Sequence, residues 1–537
     1  MKSAQLVIPM SGVGERFQRA GYELPKPLIL VEGKPIIEHV LDMYPGWDDV
    51  LFIVNEEHLA VESWNLEETL RRLRPMSKIV PIAKHKKGPA WAINMASQYI
   101  ELDKPVVANY CDFTCRWDLS AFESKLQSGL DGVIPTYTGF HPHMLRTTAF
   151  AYVKKSGQRV IDIQEKQSWT DDPFQEEASS GTYAFGSGRI LLDAIESQIE
   201  QNHSLNGEFY LSLTYKSMFE KGMKVESFLI DHFMQWGTPE DLLDYEYWSE
   251  LFSKIGTTVL PESPTISPVI LAAGEGRRFT EAGYVDPKPL IEFSGEPMLK
   301  QAVKALGSPR ALVVSRNDLP QIDRIESCAA SIGAQTIYLE SLTQGQAETA
   351  LIALEDQSLR SAGQSFVGAC DAIIVPSSEM ADAAISENEI WVWVTKNYRP
   401  ALVKPTDFGW VRCHEQTDEV AQVLVKEEPI ELSKWSTITG SFTFGSIDAS
   451  IALLKEFVLI GPKINGEYYL DSLLEFAMSR GWKVKAKEPE LFISIGTPSE
   501  LKSFSYWQKC FHLWNQHPYK LPRDPFVPTS LRSQLVQ

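Results

Sequence analysis

Gly12-Val13-Gly14-Glu15-Arg16-Phe17 recurs 262 positions later as Gly274-Glu275-Gly276-Arg277-Arg278-Phe279. Ala20-Gly21-Tyr22 and Pro25-Lys26-Pro27-Leu28-Ile29 return at the same offset as Ala282-Gly283-Tyr284 and Pro287-Lys288-Pro289-Leu290-Ile291. Further along, Asp112 matches Asp371, Gly181 matches Gly440, Asn206-Gly207-Glu208 matches Asn465-Gly466-Glu467, and Gly237-Thr238-Pro239 matches Gly496-Thr497-Pro498, each at 259. So small a drift over so long a stretch means that one large unit occurs twice, and its size excludes a short solenoid repeat.

Each copy alternates β-rich and helical patterns. Leu6-Val7-Ile8, Val50–Val54 and Val106-Val107-Ala108 read as buried strands, matched by Val269-Ile270-Leu271, Ala311–Val314 and Phe366-Val367-Gly368. After Pro35, the residues Ile36, Ile37, Val40, Leu41 and Tyr44 fall on one helical face. Met298, Leu299, Ala302, Val303 and Leu306 repeat that face after Pro297. Strand, glycine loop, helix and strand in succession predict a doubly wound α/β domain with parallel strands. Gly256–Pro268, rich in Gly, Ser, Thr and Pro, reads as a linker. The expected organisation is a first domain over 1–255, a linker over 256–267, a second domain over 268–514, and a proline-punctuated tail over 515–537 lying extended on the surface or partly disordered.

With 537 residues, 44% hydrophobic, 11% aromatic and 23% charged, the chain has an ordinary globular composition. Its net charge of −19 disfavours nucleic acid and anionic membranes as partners, so a polyanionic ligand has to be held by local cations. Six scattered cysteines fit core thiols in a reducing cytosol and no disulfide framework. No apolar run is long enough for a membrane span, which points to a cytoplasmic protein and leaves a homo-oligomer open.

The chemistry sits in the repeated motifs. Glycines after a strand let backbone N–H groups approach an anion, as Gly12 and Gly14, or Gly274 and Gly276, would do, and Arg16 or Arg278 adds a forked donor. A lysine clamped between two prolines in both copies is a fixed cation and poorly explained by solubility. The combination predicts phosphate binding. His141-Pro142-His143 has no counterpart in the second copy and reads as an exposed loop.

These residues resemble the sugar-phosphate nucleotidyltransferases, or nucleotide-sugar pyrophosphorylases, whose signature is a Gly-x-Gly-x-Arg loop followed by Pro-Lys-Pro. The resemblance spans nearly all of both copies. Arg-Phe-x-x-Ala-Gly-Tyr between the motifs looks like the branch met in capsule and surface-polysaccharide gene sets. The resemblance implies two tandem Rossmann-like (GT-A-like) α/β domains with mostly parallel mixed sheets. It also implies the joining of a nucleoside triphosphate to a sugar or polyol phosphate with release of pyrophosphate and Mg²⁺ as cofactor. CTP is the nucleotide expected, with dTTP and UTP next.

Carried over, the resemblance gives Arg16 and Lys26 (Arg278 and Lys288) to the triphosphate and Gly88 (Gly345) to the turn where the base is read. Asp112 (Asp371) becomes the Mg²⁺ ligand and Lys166 (Lys426) the grip on the acceptor phosphate. Glu165, Gly181, Asn206 and Glu208 (Gly440, Asn465 and Glu467) fall in the acceptor pocket. A phosphate monoester is already nearly dianionic at neutral pH and needs no general base, so positioning and charge stabilisation are the expected catalytic terms.

Two departures matter. The family's second metal-binding aspartate falls on Gln235 and Ser494 here, with Asp231 and Glu490, four residues earlier, as possible substitutes. Glu165 becomes Val425, which removes a hydroxyl acceptor from the second pocket and predicts a different or weaker acceptor there. A non-catalytic nucleotide-sugar sensor and a catalytic first domain with a regulatory second one are the competing readings. A glycosyltransferase would need an Asp-x-Asp motif that neither copy has.

Overall fold

The structure, a computed structural model, describes residues 4–262, 266–308, 310–359, 363–381 and 383–532. Part of the expected linker, Ser263, Pro264 and Thr265, lies outside the described residues. The chain divides into two compact units, 1–246 and 247–537.

In the first unit a ten-stranded sheet begins with four parallel strands in the order Lys78–Ile82, Val50–Asn55, Gln5–Met10 and Val106–Asn109. Thr182–Phe185 then runs antiparallel to Val106–Asn109, followed by Gly132–Tyr137, Val225–Leu229 and the hairpin Arg159–Glu165 with Ala151–Ser156. The parallel half is buried on both faces. Val7, Leu51, Ile53 and Ala108 pack with Ala90 and Ile93 of the helix Pro89–Met95. On the other face, the helix Ile36–Asp42 buries Ile36, Ile37, Val40 and Leu41, as the periodicity predicts.

The second unit repeats this plan. Gln335–Leu339, Leu312–Arg316, Ser267–Leu271 and Ser365–Ala369 are parallel, and Ser436–Phe444 is antiparallel to the last of them. Val269, Leu312, Val314 and Val367 pack with Ala347 and Ala350, matching the first unit's core position for position. Met298–Ala305 buries Met298, Leu299, Ala302 and Val303.

In both units a two-stranded ribbon stands off the main sheet. Phe113–Arg116 pairs with His232–Gln235, and Ala372–Val375 with Leu491–Ser494. The glycine loop, the residues after Ile82 and the aspartate after Asn109 all leave the carboxyl ends of parallel strands, where open α/β sheets bind ligands.

Two local expectations fail. His141 and His143 are 6% and 7% exposed, because the turn Pro142–Leu145 packs into an aromatic cluster with Tyr137, Phe150 and Phe233. His143 Nε2 lies 2.9 Å from Tyr137 Oη, and burial drives its pKa down, so a polar-looking stretch is core. The tail does not lie loose up to Arg532 either. Tyr519, Asp524 and Phe526 are fully buried, Tyr519 Oη donates to Asp524 Oδ2 at 2.6 Å, and Gln301 Nε2 donates to the Phe526 carbonyl at 2.7 Å.

Candidate active site

Gly14 adopts φ 73° and Gly276 φ 63°, a left-handed turn that glycine makes without strain, each just before a short helix, Glu15–Arg19 or Arg277–Glu281. A Cβ at Gly12, Gly14 or Gly274 would meet nothing within 4 Å, so these turns border open space. Pro-Lys-Pro forms one 3₁₀ turn in both units. Leu28 N–H donates to the Pro25 carbonyl and Leu290 N–H to that of Pro287, both at 2.8 Å. Pro25 and Pro27 each fix their own φ, so the lysine's Cα–Cβ bond leaves a stiffened turn in a set direction.

That direction is the strand-end aspartate. Lys26 Nζ donates to Asp112 Oδ2 at 2.7 Å, and Lys288 pairs with Asp371 in the same way. The two first-unit side chains keep 21% and 23% of their surface exposed, so the pair is open to solvent. Burial works against the Lys26 ammonium, but the Asp112 charge more than offsets it and holds the pKa above the usual lysine value; Lys288 is held up likewise by Asp371. Arg16 and Arg278 are close enough to act on these lysines with their own positive charge. Cys111, beside Asp112, is pushed by burial up to about 11 and Cys370 up to about 12, so both stay protonated and non-nucleophilic.

Around Asp112 the ribbon fixes which side chains stand close to this aspartate. Trp236 N–H donates to the Asp112 carbonyl at 2.7 Å, and Gln235 stands opposite Phe113. Asp231 lies at the far end of that strand, its N–H on the Arg116 carbonyl, roughly 13 Å of extended chain from Gln235. It does not stand in for the missing carboxylate, and Glu490, beyond Leu491 on the equivalent ribbon, is displaced in the same way. The carboxylate that does approach is Asp241. A Cβ on Gly237 would sit 3.4 Å from Asp112 Oδ2, 3.8 Å from Asp241 Oδ2 and 3.8 Å from Gln235 Oε1. Asp241 is committed, however: it accepts from Thr238 N and Oγ1 at 3.1 and 2.8 Å and from Arg146 Nη2 at 2.6 Å. Among the described residues no cluster of three His, Cys, Asp or Glu side chains is disposed to hold a metal. Asp112 with the Gln235 amide oxygen fits a hard cation that draws most of its shell from substrate phosphate and water, and does not fit an all-protein cage.

The acceptor side is built on the hairpin and the 206–210 turn. Lys166 adopts φ 59°, as does Lys426, an uncommon conformation for lysine kept in both units. Its Nζ reaches Tyr210 Oη at 2.5 Å and lies 4.4 Å from that ring's centroid, and Tyr210 Oη donates in turn to Glu208. Lys426 stands over Tyr469 at 5.7 Å. Asn206-Gly207 and Asn465-Gly466 form left-handed turns with φ between 52° and 83°. Glu165 Oε2 accepts from Ser212 Oγ at 2.5 Å, and burial raises its carboxyl pKa. Gly181, at φ 95°, sits against Tyr110 and Phe113, its carbonyl accepting from Tyr110 N–H at 3.0 Å.

Comparison with known proteins decides the family. Residues 6–250 match the model described as Nucleotidyl transferase, and residues 268–429 match that of the MobA-like NTP transferase domain. The chain carries two nucleotidyltransferase-family domains. Curated relatives include the bifunctional protein GlmU of Clostridioides difficile, 24% identical over 229 residues, which are 41% of this chain and 46% of that protein. GlmU of Thermodesulfovibrio yellowstonii is 26% identical over 227 residues, 42% of this chain and 46% of that protein. The chain thus spans about half the length of the curated relatives it matches. Among solved structures, a nucleoside-diphosphate-sugar pyrophosphorylase from Vibrio cholerae shows 21% identity over 45% of this chain and 99% of its own, with TM-score 0.38.

In the first nucleotidyltransferase domain, Gly88 has a packing role that its motif does not reveal. At φ 87° a Cβ there would lie 2.7 Å from the Phe209 carbonyl oxygen, and the backbone is stitched by Phe209 N–H to the Lys87 carbonyl at 2.8 Å and Ala90 N–H to the Phe209 carbonyl at 3.0 Å. Gly345 meets Tyr468 identically, with N and O at 2.6 Å. This joins the expected base-side turn to the acceptor-side turn.

The motif reading also passed over Lys84-His85-Lys86-Lys87. Lys86 pairs with Glu15 of the glycine-loop helix, Lys87 Nζ lies 3.9 Å from the Trp91 ring centroid, and His85 Nε2 is 3.4 Å from Ser11 Oγ. The second nucleotidyltransferase domain has Ser341-Leu342-Thr343-Gln344 in its place, with Lys463 Nζ donating to Gln344 Oε1 at 2.5 Å. A comparison of the two copies' charge in this one loop would have found it.

Proposed function

We propose that the first domain is a nucleotidyltransferase that joins a nucleoside triphosphate to a sugar or polyol phosphate and releases pyrophosphate. The observation that carries this is the Lys26–Asp112 pair beside an open glycine loop, with Lys166 on Tyr210 of the turn whose Phe209 backbone is bonded to Lys87 and Ala90. An acceptor phosphate held by Lys166 attacks the α-phosphorus. Lys26 leaves Asp112 for the negative charge that grows there, and Arg16 with the 84–87 lysines takes the departing pyrophosphate. Neither step needs a general base, and the protonated Cys111 supplies no competing nucleophile. Mg²⁺, bound by Asp112 and substrate phosphate, would neutralise phosphate charge.

The Arg-Phe-x-x-Ala-Gly-Tyr resemblance supports CTP as the nucleotide and surface-polysaccharide precursors as the product class, and six unpaired thiols support a cytoplasmic setting. The domain limits are proposed as 1–255 and 268–514. The cationic loop present only in the first domain supports catalysis there, with the second domain binding ligand in a regulatory or separate acceptor role. The test is pyrophosphate release by the full chain across CTP, dTTP, UTP, ATP and GTP against sugar and polyol phosphates, with Lys26→Met and Lys288→Met variants. Release lost in Lys26→Met supports the assignment; release unchanged by it refutes the assignment, and an entirely flat matrix favours the sensor reading.

A further inference from the structure

In the first domain the acceptor-side carboxylate comes from a strand and its hydrogen-bond donor from a helix: Glu165 of Arg159–Glu165 and Ser212 of Leu211–Glu220. In the second domain the strand position is Val425 and the helix position, at the 259 offset, is Asp471 of Leu470–Ser479. The carboxylate is therefore not lost, as the Glu165-to-Val425 change alone implies, but supplied from the opposite wall. The cross-strand neighbours agree. Glu165 pairs with Ala151 and Val425 with Gly409. A Cβ on Gly409 would lie 2.1 Å from Asp471 Oδ2, so only glycine at that position admits the aspartate. Asp471 remains partly accessible, its carboxylate makes no hydrogen bond among the described residues, and it lies in the field of Lys426.

The floor of the pocket changes as well. Tyr110 and Phe113, whose rings lie 3.1 Å from a Cβ placed on Gly181, become Ala369 and Ala372. Gly440, the counterpart of Gly181, has nothing within 4 Å of its Cβ position. Two rings are removed where one carboxylate has been repositioned.

We infer that the second domain binds a sugar or polyol phosphate bulkier than the first domain's acceptor, gripping its phosphate with Lys426 and a hydroxyl of its body with Asp471. This rests on the acceptor-site reading of the Lys166 and Lys426 pockets given above. The space vacated by the two rings takes the added bulk, and a carboxylate without a protein hydrogen-bond partner on its wall presents acceptors to a ligand hydroxyl.

Isothermal titration calorimetry on the full chain in Mg²⁺ buffer tests it with glycerol 3-phosphate, glucose 1-phosphate and N-acetylglucosamine 1-phosphate. The largest probe is expected to bind at a site that Asp471→Asn weakens about tenfold or more and Glu165→Gln leaves alone. Ala369→Tyr with Ala372→Phe, which refills the pocket without touching the carboxylate, is expected to exclude the largest probe. Thermal melts establish that each variant is folded. Probe binding that responds to Glu165→Gln but not to Asp471→Asn or the refilled variant overturns this inference while leaving the acceptor-site reading of the first domain intact. No binding of any probe to either domain defeats that reading and this inference with it.

Discussion

The ammonium of Lys26 and the carboxylate of Asp112 are 2.7 Å apart although 86 residues separate them, and Lys288 and Asp371 repeat the pair across 83. A cation fixed by flanking prolines and parked on a carboxylate at a parallel strand's carboxyl end is poised to exchange that partner for phosphate. Lys26→Met is expected to lower pyrophosphate release by about 10²–10³-fold, the usual loss when one preorganised transition-state donor is removed. Lys288→Met is expected to leave most of the release in place. Steady-state assays of both full-length variants check this, and equal losses would contradict the division of roles between the domains.

Gly88→Ala is expected to destabilise the first domain by about 2 kcal/mol or more. The position combines φ 87° and ψ 173°, a region essentially reserved for glycine that costs ~1–3 kcal/mol for other residues, with a 2.7 Å approach to the Phe209 carbonyl oxygen. Because the displaced backbone belongs to the turn that carries Glu208 and Tyr210, affinity for the acceptor should fall along with that for the nucleotide. Denaturant unfolding together with KM values for both substrates checks it; a stable variant with unchanged KM values would remove the stitching argument.

Lys86→Gln and Lys87→Gln are each expected to raise KM for the nucleoside triphosphate about two- to fivefold with little change in kcat. Both lysines are on an exposed loop, where one charge contact is worth roughly 0.2–1 kcal/mol. An effect on affinity alone would mark uniform phosphate binding. The rise should shrink as salt increases, because exposed contacts are screened. A kcat loss of equal size would instead place these lysines at the reacting phosphorus.

The fold and the Lys26 and Asp112 positions were legible because the chain repeats itself: each motif residue recurs in its copy, and the continuously apolar strands that carry Val7, Leu51 and Ala108 leave little freedom in a sheet buried on both faces. What was hidden depends on contacts between distant segments. Asp471 replaces a function written at position 165 of the other copy, and only the helix packing over Gly409 and Val425 shows that the two carboxylates serve corresponding places. Asp241 approaches Asp112 through the Thr238 cap and not through a metal motif. His141 and His143 are buried because Tyr137, Phe150 and Phe233 surround them, which no periodicity in a histidine-proline turn announces.

Asp471 also gives a pH dependence whose sign is fixed. Burial raises its carboxyl pKa from 3.8 to about 6, with Lys426 opposing the rise. Between those values the folded chain holds a proton that the unfolded chain has released, so this group's contribution to stability falls as pH rises through the window and stays low above it. Asp471→Asn removes the titration. The variant should therefore melt above wild type at about pH 7.5, by about 2–4 °C for each kcal/mol relieved in a unit of this size, with the gap closing by about pH 4. Calorimetric melts of the two proteins across that range check it, and subtracting one from the other cancels every other titrating group. A gap that is constant with pH, or one that widens on acidification, would mean that Asp471 is ionised against a favourable partner and is not the unsatisfied carboxylate that the second pocket offers to a ligand.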